Sequence, residues 1–206
     1  GPISKKHFLN KKYNGITEYI STKTGTRGKE VMLIYNKSLS VSPVTTHIPL
    51  KKVVKQLSVK KIMHKVETIN NFFIQKLKKK PSFGILGLNP HCETTSTFSE
   101  EKFIIDPSIH KLKKKGINII GPISPDTAFL KTNLRKYDIL VGMYHDQVLT
   151  PIKTIFEFDA INITIGLKFI RISPDHGTNN EMLGKNLSDV LSLKQSLSFF
   201  NKIDES

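Results

Sequence analysis

The sequence has little of several features that mark particular classes of protein. Its 206 residues include a single cysteine, Cys92, which excludes an internal disulfide framework and suits a reducing compartment. No apolar run approaches the roughly 18 residues of a membrane span, and no charged-then-apolar signal peptide opens the chain. We therefore expect a cytoplasmic protein without a membrane partner.

Acidic residues are also scarce, with 17 Asp and Glu against 32 Lys and Arg, so the formal net charge is +15. Such an excess can indicate a nucleic-acid partner. The lysines are, however, spread over the whole length in short runs, without an aromatic-interleaved basic stripe or a recognisable binding motif. We expect a solvated lysine-rich surface and no nucleic-acid partner, and keep a basic nucleic-acid-binding module as the alternative from a different class.

What the chain does contain is an alternation of strand-like and helix-like segments. A helix is predicted to begin after an N-cap at Ser58 and to carry the apolar stripe Ile62, Val66, Ile69, Phe73 and Leu77. A further helix is expected from Ser99, with acids near its positive end and a restart at Pro107, and the last helix over 187–202. Strands are expected over 31–35, 39–41, 83–88, 117–120, 139–141, 161–166 and 169–173. This alternation predicts an α/β sandwich.

Three histidines follow β-rich runs in this sequence. His47, His91 and His145 each precede a loop marked by proline or an acid, and strand ends of α/β sheets are where ligands bind. Three imidazoles around one ion leave a coordination position open, as in catalytic metal sites, and nitrogen ligands favour Zn, Co, Ni or Fe over Mg. The spacing alone is a weak signal, because three unrelated strand-end histidines could arise by coincidence.

Five motifs occur in an order that resembles the 4-hydroxythreonine-4-phosphate dehydrogenase (PdxA) family, and they extend over essentially the whole chain. They are Thr45-Thr46-His47-Ile48-Pro49-Leu50, Gly87-Leu88-Asn89-Pro90-His91, Gly121-Pro122-Ile123-Ser124-Pro125-Asp126-Thr127, Met143-Tyr144-His145-Asp146-Gln147 and Asp175-His176-Gly177-Thr178. The resemblance implies an isocitrate/isopropylmalate-dehydrogenase-like α/β/α sandwich in a two-domain homodimer with a shared active site. It also implies oxidation of 4-phosphooxy-L-threonine by NAD or NADP. The 3-oxo acid then loses CO2 and gives 3-amino-2-oxopropyl phosphate for pyridoxal 5'-phosphate (vitamin B6) synthesis.

Site residues are implied by the same resemblance. A divalent metal (Zn, Co or Mg) would be bound by His47, His91 and His145. The substrate would be bound by Thr17, Lys153, Asn162 and Arg171. Proton transfer would involve Lys153, Asp126 and Asp146, and the cofactor would contact Asp175, His176, Gly177 and Thr178. No G-x-G-x-x-G fingerprint is present, so the cofactor assignment depends on the resemblance only.

Several positions depart from the family pattern. Ile16 stands where the family usually has a substrate-binding histidine, and residues 92–96 lack the glycines that usually follow the His91 motif. These changes keep open a paralogue that oxidises a related four-carbon hydroxy acid phosphate.

The chain begins with Gly1, at a point where the family's N-terminal segment should already have ended. We therefore expect a processed or truncated chain, the C-terminal two-thirds of the enzyme, which would be inactive alone. Residues 1–180 would form the metal, substrate and dimerisation domain. Residues 181–206 would form a C-terminal helix that returns to the other domain.

Overall fold

The computed structural model describes residues 13, 15–92, 98–175, 182, 184–186 and 189–204. Its helices are α1 (Ile16–Lys23), α2 (Val53–Gln56), α3 (Val59–Leu77), α4 (Asp106–Lys114), α5 (Pro125–Ala128), α6 (His145–Phe156) and α7 (Leu191–Asp204). Its strands are β1 (Val31–Tyr35), β2 (Ser40–Thr45), β3 (Phe83–Leu86), β4 (Ile119–Ile123), β5 (Ile139–Tyr144), β6 (Ile161–Ile165) and β7 (Arg171–Pro174). Within the described ranges, no helix is long and apolar enough to cross a membrane.

The seven strands form one mixed sheet in the order β4-β3-β5-β2-β1-β6-β7. Four neighbouring strands, β4, β3, β5 and β2, are parallel to one another. β1 is antiparallel to β2 and β6, and β7 is antiparallel to β6. The carboxyl ends of β2, β3, β4 and β5 therefore meet at one edge of the sheet, the C-terminal edge, and β7 begins at this edge.

Helices cover both faces of the sheet, as an α/β/α sandwich requires. On one face, a core cluster joins α3, α4 and α7 to alternate strand residues such as Leu33, Ile85, Val141 and Ile163. On the other face, a second cluster joins α6 to Ile34 and its neighbours on β2 and β5. The predicted α/β/α sandwich is confirmed.

Helix α3 follows the expected pattern closely. The Ser58 side chain accepts a hydrogen bond from the Lys61 backbone N–H and caps the helix. The residues predicted to form the apolar stripe, Ile62 to Phe73, are each at most 4% exposed. Burial of each such side chain contributes about 1.5–3 kcal/mol to stability, so this stripe holds α3 on the sheet.

Two expected elements differ in the structure. The last helix begins at Leu191 rather than at residue 187, and the Asp189 side chain accepts the Leu191 backbone N–H at 2.7 Å just before it. Its buried face, with Phe199 and Ile203, packs on the sheet near Tyr35 and Phe72. The segment before α4 is a π-helix, Glu101–Ile105. Glu101, one of the acids expected near the positive end of a helix, is only 3% exposed.

Candidate active site at the C-terminal edge

The strand order places the predicted histidines along the C-terminal edge. His47 follows β2 by two residues, His145 is the first residue of α6 after β5, and His91 lies in the 3-10 turn Pro90–Cys92 after β3. Because β5 lies between β3 and β2, His145 is expected between the other two. Asp126, in α5, follows β4 at the end of this row. His47 and His145, 98 positions apart in sequence, thus share one edge.

His47 and His145 are direct neighbours. Their ring centroids are 5.7 Å apart, with an interplanar angle of 43°. The two strands that carry them are parallel partners, with Thr45 beside Tyr144. The Thr45 hydroxyl also donates to the Met143 carbonyl oxygen at 2.7 Å. This buried hydrogen bond sets the register in which the two imidazoles meet.

Each of the three histidines has a carboxylate at its Nδ1 atom. The distances are 3.1 Å from His47 to Glu18 Oε1, 2.7 Å from His145 to Asp146 Oδ1, and 3.6 Å from His91 to Asp126 Oδ2. Metal-binding histidines commonly have such a carboxylate on the ring nitrogen that is not a ligand. In each pair the carboxylate lies at Nδ1 and not at Nε2. The roles of the three histidines as metal ligands, and of Asp126 and Asp146 in proton transfer, stay predictions.

His91 differs from the other two in exposure. Its side chain is 75% exposed, against 30% for His47 and 31% for His145. A hydrogen bond from Ser124 and the nearby His91 lower the pKa of Asp126, so this carboxylate is ionised at neutral pH. Among the residues that the structure describes, no three His, Cys, Asp or Glu side chains form a group that could hold a metal ion. The structure thus brings His47 and His145 together, and His91 with Asp126.

Gln147 ties the ends of β3 and β5 together. Its Oε1 accepts the Met143 backbone N–H and its Nε2 donates to the Gly87 carbonyl oxygen, both at 2.7 Å. A Cβ atom on Gly142 would lie 2.9 Å from Gln147 Oε1. The Gln147 side chain fits here because glycine lacks that atom. This amide therefore links the segment that bears His145 to the segment that leads to His91.

Glu101 also holds the segment after β3, and the sequence analysis did not identify this role. One carboxylate oxygen accepts the backbone N–H groups of Leu88 and Asn89, each at 2.8 Å. The other accepts the Asn89 side-chain amide at 2.9 Å and the Ser99 hydroxyl at 2.8 Å. Burial alone would raise the pKa of Glu101, but the bonds from Asn89 and Ser99 outweigh it and lower this pKa to about 2. The sequence carried no signal for this role beyond two adjacent glutamates.

A small pocket beside His47 contains Thr17 and Lys65. Its lining is Thr17, Glu18, Glu30, Met32, Thr46, His47 and Lys65. Lys65, to which the sequence analysis assigned no role, is 8% exposed and donates to the Glu30 carbonyl oxygen at 2.9 Å. Burial lowers the pKa of Lys65 to about 8, although Glu30 and Glu18 act in the opposite direction. Thr17 therefore lines the same pocket as His47, and its contact with the substrate stays a prediction.

Asn162 and Arg171 lie on the face of the sheet that α6 covers. Asn162 pairs with Ser173, and Thr164 with Arg171, so side-chain alternation puts them opposite the core residues Ile161 and Ile163. Arg171 Nη1 donates to Thr164 Oγ1 at 3.4 Å, and burial lowers the pKa of its guanidinium. β7 is three strands from β2 in the sheet, so Arg171 is about 15 Å along the edge from His47.

Lys153 and Asp175 form an ion pair at the opposite edge. Lys153 Nζ lies 3.0 Å from both Asp175 Oδ2 and the Asp175 carbonyl oxygen. Asp175 follows β7 and donates its backbone N–H to Ser192, which in turn donates to the Ala160 carbonyl oxygen before β6. The other predicted cofactor residues, His176, Gly177 and Thr178, lie outside the described residues.

A family model described as "Pyridoxal phosphate biosynthetic protein PdxA" matches residues 1–199. A 4-hydroxythreonine-4-phosphate dehydrogenase of Sulfurihydrogenibium sp. (strain YO3AOP1) is 44% identical over 192 residues, 91% of this chain and 59% of that protein. A D-threonate 4-phosphate dehydrogenase of Salmonella typhimurium is 37% identical over 180 residues, 86% of this chain and 55% of that protein.

A solved structure of 4-hydroxythreonine-4-phosphate dehydrogenase from Klebsiella pneumoniae superimposes with a TM-score of 0.80 at 32% identity. The match covers 98% of this chain and 63% of that one. This chain therefore spans between about half and two thirds of the length of the relatives it matches.

Proposed function

Since this chain belongs to the PdxA family, we propose that it works in the NAD-dependent oxidation of 4-phosphooxy-L-threonine. The product is a 3-oxo acid that decarboxylates to 3-amino-2-oxopropyl phosphate, in pyridoxal 5'-phosphate (vitamin B6) synthesis. The observation that carries the proposal is the carboxylate at the Nδ1 atom of each of His47, His91 and His145.

The three imidazoles fit a divalent metal such as zinc or cobalt by their chemistry. His47 and His145 are each within hydrogen-bond distance of a carboxylate, which keeps the ring orientation and raises the basicity of the remaining nitrogen, and Asp126 lies 3.6 Å from His91. A bound divalent ion would supply Lewis acidity toward the substrate hydroxyl. The carboxylates of Asp126 and Asp146 are exposed enough to exchange protons with solvent, and we assign them the movement of protons to and from the site.

The substrate is proposed to contact Thr17 beside His47 and to engage Arg171 through its phosphate or carboxylate. A planar guanidinium binds such groups with two parallel hydrogen bonds. The separation of about 15 Å between Arg171 and His47 along the edge favours an active site completed by a second copy of the chain. In that arrangement Lys153, Asn162 and Arg171, which belong to α6, β6 and β7, would face the cleft of the partner. Asp175 and the segment after it would contact NAD or NADP.

A second candidate is the oxidation of D-threonate 4-phosphate, the activity named for a relative that is 37% identical. The two substrates differ by an amino group in place of a hydroxyl group beside the carboxylate. Ile16, at the start of the Thr17 pocket, removes a polar side chain from the position where the resemblance expects a histidine. Without that histidine, residue 16 favours neither the amino group nor the hydroxyl group of the two substrates.

The test is NADH formation with each substrate, using the protein as its organism produces it and supplied with zinc or cobalt. The proposed function predicts NADH from 4-phosphooxythreonine and loss of that activity in His47→Ala and His145→Ala. NADH from D-threonate 4-phosphate alone would replace the first substrate with the second. Absence of NADH from both, in protein that binds metal and is folded, would overturn the dehydrogenase assignment.

A further inference from the structure

The loop after β3 has a backbone that needs an outside support. His91 and the next residue, Cys92, both have positive φ angles, 57° and 61°. Residues other than glycine adopt this left-handed region at a cost of about 1 kcal/mol or more each. Two such residues in succession persist only where the surrounding structure holds them. The loop also carries the imidazole nearest to Asp126, so its conformation decides where that imidazole lies.

Glu101 provides the support from a neighbouring segment. Its two carboxylate oxygens accept four hydrogen bonds, three of them from Leu88 and Asn89 immediately before the 3-10 turn. A carboxylate is suited to this position because it only accepts hydrogen bonds when ionised, and all four partners donate. With a pKa of about 2, Glu101 remains ionised at any physiological pH.

The loop is packed against the same carboxylate from the other side. A Cβ atom built on Gly87 would lie 2.5 Å from Cys92 Sγ and 3.3 Å from Glu101 Oε1. The Cys92 thiol therefore folds back under the loop and reaches the end of β3, beside Glu101. Burial raises the pKa of this thiol. Its chemical accessibility consequently reports whether the loop is closed.

From these contacts we infer that Glu101 is a positioning residue, which acts through Leu88 and Asn89 to hold the His91 loop in its left-handed conformation. The inference rests on the proposed function in one respect: we take the purpose of this loop conformation to be the presentation of His91 to a divalent metal. The loop conformation itself depends on the contacts alone. The two parts can therefore be tested separately.

The first test measures the alkylation rate of Cys92 by iodoacetamide. Cys92 is the chain's single cysteine, so its alkylation rate per thiolate, corrected for the effect of the Glu101 charge on the pKa of this thiol, reports this loop alone. Glu101→Gln puts an amide donor among four donors, and we expect the rate to rise about tenfold or more, with little dependence on low concentrations of urea, as for a local opening. The matched control is Glu100→Gln, because Glu100 accepts one bond from Asn89 and lies beside Glu101. Its rate should stay within about twofold of the wild-type rate, since glutamine keeps an oxygen that can accept the bond from Asn89.

A milder variant covers the case in which Glu101→Gln fails to fold. Ser99→Ala removes one of the four bonds to Glu101 and should raise the Cys92 rate in the same direction by a smaller factor. Unchanged alkylation rates in both folded variants would overturn the positioning role. A rate that rises only with global unfolding, in proportion to urea, would overturn it as well.

The second test titrates Zn2+ alone into the folded variants by calorimetry. We expect Glu101→Gln to weaken zinc binding by about tenfold or more, in the range seen for residues that support metal ligands, and to match His91→Ala. If Glu101→Gln opens the loop but neither variant changes zinc affinity, His91 is not a ligand; the positioning role then stands and the metal assignment falls. If His91→Ala weakens zinc binding and Glu101→Gln does not, the positioning role is overturned.

Discussion

The Oε1 atom of Glu18 lies 3.1 Å from the Nδ1 atom of His47, which joins the first turn of α1 to the loop after β2. Glu18 thereby holds the orientation of a ring that meets His145 on its other side. A Cβ on Gly15 would lie 2.8 Å from the second oxygen of Glu18 and 3.3 Å from the His47 ring. Glycine at the start of α1 is therefore what allows the carboxylate and the imidazole to approach.

Glu18→Gln should weaken zinc binding by about 10-fold to 100-fold, because an amide holds the imidazole less firmly and does not raise its basicity. Calorimetric titration of Zn2+ measures the change. Glu67→Gln is the matched control, because Glu67 is on α3, where it pairs with Lys115 at 2.5 Å. Equal zinc affinities for the two variants would contradict the supporting role of Glu18.

Gln147→Glu should destabilise the protein by about 1–3 kcal/mol, because a carboxylate oxygen replaces the donor to the Gly87 carbonyl oxygen and leaves it without that bond. Urea unfolding at neutral pH measures the free energy of unfolding. Gln75→Glu makes the same chemical change at an exposed position of α3 and should alter stability much less. A loss of similar size in both variants would mean that Gln147 does not tie β3 to β5.

Arg171→Met should weaken the binding of the phosphorylated substrate by about 10-fold to 100-fold, the value of one hydrogen bond to a charged group. Arg171→Lys should recover only part of this affinity, because an ammonium lacks the planar fork. Binding is measured calorimetrically with 4-phosphooxythreonine, and Arg135→Met, at an exposed position, is the control. Full affinity in Arg171→Met would remove Arg171 from the substrate site.

The burial of Lys65 predicts that the stability of the protein depends on pH. Its pKa is about 8 in the folded protein and about 10.4 in an unfolded chain, so the unfolded state binds the proton more tightly. Burying the charged lysine therefore costs stability below pH 8, and this cost disappears as the pH rises through the window between the two pKa values. The stability of the wild type relative to Lys65→Met should rise across that window by on the order of 3 kcal/mol.

Urea unfolding at several pH values between those limits tests this effect. Lys60→Met, on the same helix but exposed, should follow the wild type at every pH. If the free-energy difference between the wild type and Lys65→Met does not depend on pH, Lys65 is not a buried cation in solution.

The sequence alone identified most helices and strands, because their apolar periodicity and their capping residues are local. The apolar stripe of α3 and its Ser58 cap needed only neighbouring residues, and the structure agrees with both. The five motifs identified the family for the same reason, since each is a continuous run. The α/β/α class followed from the alternation of elements, and the second-domain role expected for residues 181–206 stays a prediction.

Only the tertiary structure decided which distant residues meet. Nothing local distinguishes Glu101 from Glu100. Glu101 is nevertheless buried and accepts four hydrogen bonds, whereas Glu100 accepts one from Asn89. Lys65 became a buried cation because α3 packs its flank against Glu30, and Lys153 met Asp175 instead of the histidines because α6 runs back from the C-terminal edge. Periodicity along the chain determines which face of an element is apolar. Strand order and helix direction, which depend on contacts far apart in sequence, determine the partners of each polar side chain.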